Sequence, residues 1–178
     1  MEKYIGLLRG INVGGKNKIK MVELIKILKG IGLENIRTYI QSGNIVFQCV
    51  ERDYDEIALE ISQAICDSYG FSPITLVLGL KEFSEAIKNN PFPEAENEPK
   101  ALHFYFLEQV PQNPNIAALE NIKRESECYK LVGKVFYLYA PEGIGRSKLA
   151  AKVENALGVV VTARNWRSVN KIYSLATS

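Results

Sequence analysis

The fold of this chain depends on how one stretch is interpreted, LLRGINVGGKN at residues 7–17. An apolar run at residues 4–8 leads into it and predicts a short strand that ends near Arg9. Apolar residues then recur at helical spacing over residues 21–31. The stretch therefore connects a strand to an amphipathic helix.

The same stretch carries the spacing of a phosphate-binding P-loop, from Gly10 through Gly15 to Lys16. Asn17 stands where a P-loop has the Ser or Thr that binds Mg²⁺, and the helical pattern does not begin until Met21. P-loop enzymes also need a parallel sheet with crossover helices, whereas the hairpins of this chain predict antiparallel pairing. A Walker-type NTPase is therefore disfavoured.

Two interpretations of the glycines remain open. Gly14 and Gly15 can adopt positive φ and form an anion-binding nest, with Arg9 and Lys16 supplying positive charge. Alternatively, the glycines only allow a tight connection between the strand and the helix.

The elements that follow have the order of a known motif. Residues 36–49 predict a hairpin with the turn Gln41-Ser42-Gly43-Asn44 at its centre. Residues 54–69 predict a helix, and the continuous apolar run at 74–78 predicts a buried strand. The resulting order, β-α-β-β-α-β, is that of a ferredoxin-like unit.

The second half repeats this order. Its predicted elements are a strand at 102–107, a short helix at 115–122, a hairpin at 128–139, a helix at 147–157, a strand at 159–161 and a last helix at about 165–175. The predicted fold is therefore α+β, with two ferredoxin-like (βαββαβ) halves, antiparallel sheets and an appended C-terminal helix. One larger mixed sheet with a single core is the alternative.

The predicted boundaries follow from a change of composition. Residues 1–80 form the first half and residues 101–178 the second half with the C-terminal helix. Between them, residues 81–100 combine a short helix with an acidic, proline-rich linker that lacks periodicity.

Composition indicates a globular, cytosolic protein of 178 residues, 47% of them hydrophobic and 24% charged. No run approaches the roughly 20 apolar residues of a membrane span, and the N-terminus lacks the features of a signal peptide. We therefore predict a cytoplasmic location and no membrane partner, and leave the oligomeric state open.

Cysteine and histidine usage argues against a metal site. Cys49, Cys66 and Cys128 have no metal-ligand spacing and lie in apolar segments, so we predict core thiols. His103 is the single histidine. No cofactor is predicted, and no nucleophile–base or paired-carboxylate arrangement can be assembled, which leaves catalysis an open question.

The charge distribution points to an anionic ligand. Residues 1–37 carry a net charge of +5, residues 38–129 of −9 and residues 130–178 of +6. Two basic ends would form a favourable site for an anion if they meet in space. Solvated lysines on helix faces are the simpler alternative.

Two further segments have basic residues at predicted helix starts. In GIGRSK, residues 143–148, Ser147 is a candidate N-cap between Arg146 and Lys148, which favours an anion site or a plain helix start. In the segment from Thr162 to Lys171, Thr162 or Asn165 can cap the last helix. There Arg164 and Trp166 would bind and stack on a planar anion, or the helix docks with solvated cations.

Aromatic residues suggest a different function. Tyr105 shares a strand face with His103, and Tyr137 shares one with Tyr139. RNA-binding sheets use aromatics on the two central strands to stack bases, although the glycines of that motif are absent. The same face could equally be buried by packing.

Three motifs together resemble an uncharacterised bacterial family, a domain of unknown function of about this length. They are LLRGINVGGKN at residues 7–17, YIQSGNIVF at residues 39–47 and TARNW at residues 162–166. The resemblance implies two related α/β halves and no established activity. The recurrent polar positions that it implies are Arg9, Asn12, Gly14, Gly15, Lys16, Ser42, Gly43, Asn44, Arg164, Asn165 and Trp166.

We therefore predict that the chain binds a small anionic or nucleotide-like ligand. The site would be a cleft formed by the first glycine loop, the 41–44 turn and the start of the last helix. Arg9, Lys16 and Arg164 would neutralise the charge of the ligand. Asn12 and Asn44 would orient it by hydrogen bonds, and the Trp166 indole would provide a flat wall. The alternatives are single-stranded RNA binding on the face of Tyr105, Tyr137 and Tyr139, and a protein-interaction or dimer module without a ligand.

Overall fold

The computed structural model describes residues 1–178 and contains two four-stranded antiparallel sheets. The chain divides into two compact units. Unit 1 comprises Met1–Glu85 and Lys171–Ser178, and unit 2 comprises Ala86–Asn170. No helix combines the length and the apolar character that crossing a membrane requires.

Unit 1 is built on the sheet order β2-β3-β1-β4, in which every neighbouring pair is antiparallel. This is the ferredoxin-like arrangement, because the first strand lies between the third and the fourth. The elements are β1 Glu2–Arg9, α1 Met21–Gly30, β2 Glu34–Tyr39, β3 Asn44–Cys49, α2 Tyr54–Tyr69, β4 Ile74–Gly79 and α3 Leu80–Lys88, which ends in unit 2.

Unit 2 has the equivalent order β6-β7-β5-β8. Its elements are a 3₁₀ turn at Pro93–Asn97, β5 Leu102–Leu107, α4 Ile116–Glu120, β6 Cys128–Val132, β7 Val135–Tyr139, a 3₁₀ turn at Ile144–Arg146, α5 Lys148–Leu157, β8 Val161–Asn165 and the start of α6 Trp166–Thr177, which ends in unit 1. The predicted α+β fold with two ferredoxin-like halves and an appended helix is confirmed.

Each sheet has its own apolar core. In unit 1, Ile57, Ile61 and Ile65 recur every four residues along α2 and are fully buried. Asp53 caps this helix by accepting from the Asp55 and Glu56 amides at 2.9 and 3.1 Å, and Gly70 ends it at φ +75°. Since the strands form two sheets, the alternative of one larger mixed sheet is wrong.

Helix α5 organises the core of unit 2 in the same way. The Ser147 hydroxyl accepts from the Ala150 amide at 2.9 Å, which makes Ser147 the N-cap. Leu149 and Val153 then lie four residues apart and are fully buried, and Gly158 ends the helix at φ +68°.

Two details of unit 2 differ from the sequence predictions. Strand β8 occupies Val161–Asn165 rather than 159–161, because it pairs with β5 over the whole of that range. Cys128 is exposed rather than a core thiol, because β6 is an edge strand of its sheet. Cys49 is buried and Cys66 is half-buried.

The C-terminal part of α6 belongs to unit 1 rather than to the predicted second half at 101–178. The Lys3 ammonium donates to the Ala176 carbonyl, and Arg37 Nη1 donates to the Leu175 carbonyl at 3.3 Å and to Ser178. Cations at the carbonyl end of a helix also interact favourably with its dipole. These contacts hold the end of α6 against unit 1.

Gly43 brings the backbone of the 41–44 turn against the end of β1. Its carbonyl accepts from the Leu8 amide at 2.8 Å, and its φ is +77°. A Cβ added at Gly43 would lie 2.6 Å from Leu8 Cβ and 3.2 Å from the Leu8 carbonyl oxygen. Only glycine therefore lets the 41–44 turn contact the end of β1.

We expect Gly43→Ala to lower the free energy of unfolding by about 2–4 kcal/mol, from overpacking and a strained φ together. Gly10→Ala is the matched control, because Gly10 has φ +85° and a Cβ added there would have no heavy atom within 4 Å. That control should cost only about 1–2 kcal/mol. Denaturant unfolding of both variants checks this, and equal losses would contradict the steric argument.

Candidate functional site

The first loop is a small hairpin rather than a P-loop. The Lys16 amide donates to the Val13 carbonyl at 3.0 Å, and the Asn12 amide donates to the Asn17 carbonyl at 3.1 Å. Gly14 and Gly15 have φ +57° and +76°, the signs found in type I′ turns. The geometry favours the tight-turn interpretation, and the anion nest stays a prediction.

Asn12 ties this hairpin to the 41–44 turn. Its Nδ2 donates to the Ile19 carbonyl at 2.9 Å and to the Gln41 carbonyl at 2.8 Å, while its Oδ1 accepts from the Ile19 amide at 2.9 Å. The predicted first loop and turn thus come together. The amide of Asn12 serves as an internal cross-link.

Asn44 has a similar internal role. Its side chain is buried and donates to the Tyr39 carbonyl at 3.0 Å and to Ser42 Oγ at 2.9 Å. The side chain of Asn44 therefore shapes the turn, as a buried amide must find internal partners.

Ile40, at the start of this turn, has a strained backbone. Its φ is +49°, and a β-branched residue in that region is an outlier. Its side chain is 51% exposed, so core packing does not hold it there. Strain of this kind is concentrated at functional sites, which makes the turn a site candidate on independent grounds.

Unit 1 has a cleft of about 870 Å³ beside the first loop, a volume typical of small-molecule sites. We call it the loop cleft. The residues that line it are Asn12, Gly15, Lys18, Ile19, Lys20, Glu23, Gln41 and Tyr69. It therefore joins two of the predicted residues to several that were not predicted.

The lining residues that were not predicted are Lys18, Ile19, Lys20, Glu23 and Tyr69, and Gln41 was predicted only as part of the 41–44 turn. The two lysines lie in the basic segment 1–37, so their charge was visible but not their location. Tyr69 ends α2, and nothing in its local sequence marks it as a lining residue. Its ring is 40% exposed and lies 6.2 Å from the ring of Phe71.

Three of the predicted residues, Arg164, Asn165 and Trp166, lie in unit 2. Arg164 Nη1 donates to the Ala163 carbonyl at 2.9 Å, and burial lowers the pKa of Arg164 to about 10. Asn165 Oδ1 accepts from the Ser168 amide at 3.0 Å and so caps α6. The Trp166 indole is buried, with its centroid 5.6 Å from that of Phe104. A ligand contact by these residues stays a prediction.

The turn at residues 143–148 is held by its own ion pair. Arg124 Nη1 lies 2.9 Å from the Glu142 carboxylate, and Arg124 Nη2 donates to the Arg146 carbonyl at 2.8 Å. Ser147 is the helix cap described above. These contacts account for the shape of the turn, and the anion site predicted there stays untested.

The prediction that Tyr105, Tyr137 and Tyr139 share one face of the sheet was wrong. Tyr105 pairs with Phe136, whereas Tyr137 pairs with Phe104, so the two tyrosines lie on opposite faces of the sheet. The Tyr105 and Tyr137 side chains are also buried. Their rings are not available as one stacking platform.

The single histidine is buried. His103 Nδ1 lies 3.3 Å from the Ala101 carbonyl, and burial lowers the pKa of His103. No group of three or more His, Cys, Asp and Glu side chains is arranged to hold a metal ion.

The two sheets and their strand orders define an α+β protein of two ferredoxin-like units. The chain belongs to the family of proteins of unknown function DUF1697, whose match covers residues 1–137. This confirms the predicted kind of family, and the third motif, at 162–166, lies outside the matched residues.

A solved structure extends the similarity to almost the whole chain. The conserved bacterial protein SP0830 from Streptococcus pneumoniae has a TM-score of 0.76 and 27% identical residues, over 98% of each chain. No protein of curated function matches.

We expect Asn12→Ala to destabilise unit 1 by about 2–3 kcal/mol, because it removes the hydrogen bonds to Ile19 and Gln41. Asn17→Ala is the matched control. Asn17 has φ +50° against +53° for Asn12, but its side chain makes one exposed hydrogen bond, to the Gly10 carbonyl at 2.9 Å. It should cost about 1 kcal/mol. Chemical unfolding measures both, and equal costs would show that Asn12 is not a cross-link.

Tyr137 should make stability depend on alkaline pH. Burial raises the pKa of Tyr137 to about 12 from the usual 10.0, and its hydroxyl donates to the Ala86 carbonyl at 2.7 Å. The neutral phenol is therefore favoured in the folded state, and this stabilisation is complete below pH 10 and is lost as the pH rises towards 12. We expect a shallower alkaline decline of the unfolding free energy in Tyr137→Phe. An unchanged decline would contradict this.

Proposed function

We propose that this protein binds a small anionic, nucleotide-like ligand in the loop cleft of unit 1. The observation that carries the proposal is the combination of positive charge, one exposed aromatic ring and amide groups around a single cleft of about 870 Å³. That volume lies within the range of small-molecule sites.

The positive charge comes from lysines on the segment that leads into α1. Lys18 and Lys20 line the cleft, and exposed Lys16 adjoins its lining residue Gly15. Glu23 also lines it, but its carboxylate lies 2.9 Å from the Lys26 ammonium. The local balance therefore favours an anion such as a phosphate.

The flat part of the ligand would contact Tyr69. Tyr69 is 40% exposed, and an exposed ring near cations is suited to stacking on a nucleobase. Gln41 is exposed and lines the cleft, so its side-chain amide can donate to and accept from a base edge. The Asn12 side chain fixes the position of Gln41 by donating to the Gln41 backbone carbonyl.

The contribution predicted for Arg9, Ser42, Arg164, Asn165 and Trp166 stays a prediction. A thermal-shift screen therefore tests Arg164 separately from the loop cleft. It also distinguishes small-molecule binding from nucleic acid binding.

We expect nucleoside mono-, di- or triphosphates to raise the unfolding temperature of the wild type in a thermal-shift screen. A ligand at a hundredfold excess over its Kd stabilises by about 2.7 kcal/mol. Lys18→Ala/Lys20→Ala should weaken binding at least tenfold, since even one lost charged hydrogen bond costs about 1.5–3 kcal/mol. Tyr69→Ala should weaken the binding of nucleotides more than the binding of inorganic pyrophosphate.

Lys29→Ala/Lys81→Ala is the charge-matched control, because both lysines are exposed and lie outside the cleft. Arg164→Ala reports whether unit 2 contributes. Binding that is the same in both double variants would overturn the proposal. Affinity that rises with the length of a single-stranded RNA and falls steeply with salt would instead indicate nucleic acid binding.

A further inference from the structure

Unit 2 contains a second cleft whose chemistry is opposite to that of the loop cleft. It has a volume of about 420 Å³ and lies along the segment that the sequence predicts to be a linker. We call it the acidic cleft. The residues that line it are Pro91, Phe92, Pro93, Glu94, Ala95, Glu98 and Tyr139.

The wall of the acidic cleft is built by a segment with its own hydrogen bonds. Asn90 Oδ1 accepts from the Phe92 amide at 3.0 Å, and Asn90 Nδ2 donates to the Glu96 carboxylate at 3.0 Å. The Ala95 amide donates to the Phe92 carbonyl at 3.0 Å. Pro91 and Pro93 also restrict the backbone. The cleft is therefore preformed, which lowers the entropic cost of binding.

Two aromatic rings face this cleft. Phe92 and Tyr139 both line it and are both half-buried, so each keeps an exposed part. The Tyr139 hydroxyl donates to Glu98 Oε1 at 2.6 Å. This bond fixes the phenol ring and the Glu98 carboxylate relative to each other.

The lining carboxylates of the acidic cleft are negatively charged and form no ion pair. No Lys or Arg nitrogen lies within 4.0 Å of the carboxylates of Glu94 or Glu98. Residues 90–99 contain Glu94, Glu96 and Glu98 and no basic residue. An anion would be repelled here, and a cation attracted.

We propose that the acidic cleft binds an organic ammonium ion. The faces of the Phe92 and Tyr139 rings attract the spread positive charge of an alkylated ammonium, and the carboxylates of Glu94 and Glu98 supply the counter-charge. A hard metal ion would gain nothing from the rings and the prolines. A bulky organic cation uses both the apolar walls and the charge.

Choline and its uncharged carbon isostere, 3,3-dimethylbutan-1-ol, are the probes that separate charge from shape. We expect choline to produce saturable NMR shifts at amides of residues 91–98 and 139, and the isostere to bind several-fold more weakly or not at all. A short peptide with trimethyl-lysine, whose side chain ends in the same trimethylammonium group as choline, is the second arm. It would show whether a protein side chain carries the same ammonium group more tightly.

The variants assign the binding to these side chains. Tyr139→Leu and Glu94→Gln/Glu98→Gln should each weaken choline binding about three- to tenfold. Tyr139→Phe keeps the ring and loses only the bond to Glu98, so it should weaken binding less than Tyr139→Leu. Glu108→Gln/Glu125→Gln is the charge-matched control, because both residues are exposed and lie outside the cleft.

Three results would overturn the proposal. The first is equal binding of choline and its isostere, and the second is unchanged binding in Glu94→Gln/Glu98→Gln. The third is a choline titration, carried up to the concentration of the salt in the buffer, in which no amide shift saturates. The glutamate variants are at the surface, so they keep the test valid if Tyr139→Leu fails to fold.

Discussion

The contact between the end of β1 and the 41–44 turn is the constraint on which unit 1 depends. The Leu8 amide reaches the Gly43 carbonyl at 2.8 Å, and no side chain fits at Gly43. Because the turn lies this close, the side chain of Asn12 can bind the Gln41 carbonyl and the first loop at once. The strained φ of Ile40 is the cost of bringing the chain into this position. The loop cleft exists because these contacts hold a hairpin and a turn side by side.

Much of the fold could be predicted from local signals, and the site could be predicted only in part. Helix α2 was predicted at its observed bounds because the spacing of its isoleucines and the stop at Gly70 point to the same element. Strand β8 was placed too early because residues 162–165 are held by pairing with β5, which is distant in sequence. The grouping of Tyr105 with Tyr137 failed because the register between strands cannot be deduced from periodicity within each strand. Tyr69 was missed because only the folded chain brings the end of α2 to the first loop.

The two candidate sites use opposite chemistry in two copies of one fold. In unit 1, lysines follow the first strand and an aromatic ring comes from the end of a helix. In unit 2, glutamates precede the first strand and the rings come from the linker and from β7. Neither cleft lies at the equivalent place of its sheet. The ferredoxin-like scaffold thus fixes the strand order but leaves the chemistry to its connections.

The assignment of Lys171–Ser178 to unit 1 makes that unit discontinuous along the chain. Unit 2 is topologically an insertion, entered through α3 and left through α6. During synthesis, β1 and the residues Lys3 and Arg37 leave the ribosome long before their partners at Leu175 and Ala176. Unit 1 can therefore complete its contacts only after the whole of unit 2 has been made. A folding unit of this kind couples the maturation of the first half to the successful synthesis of the second.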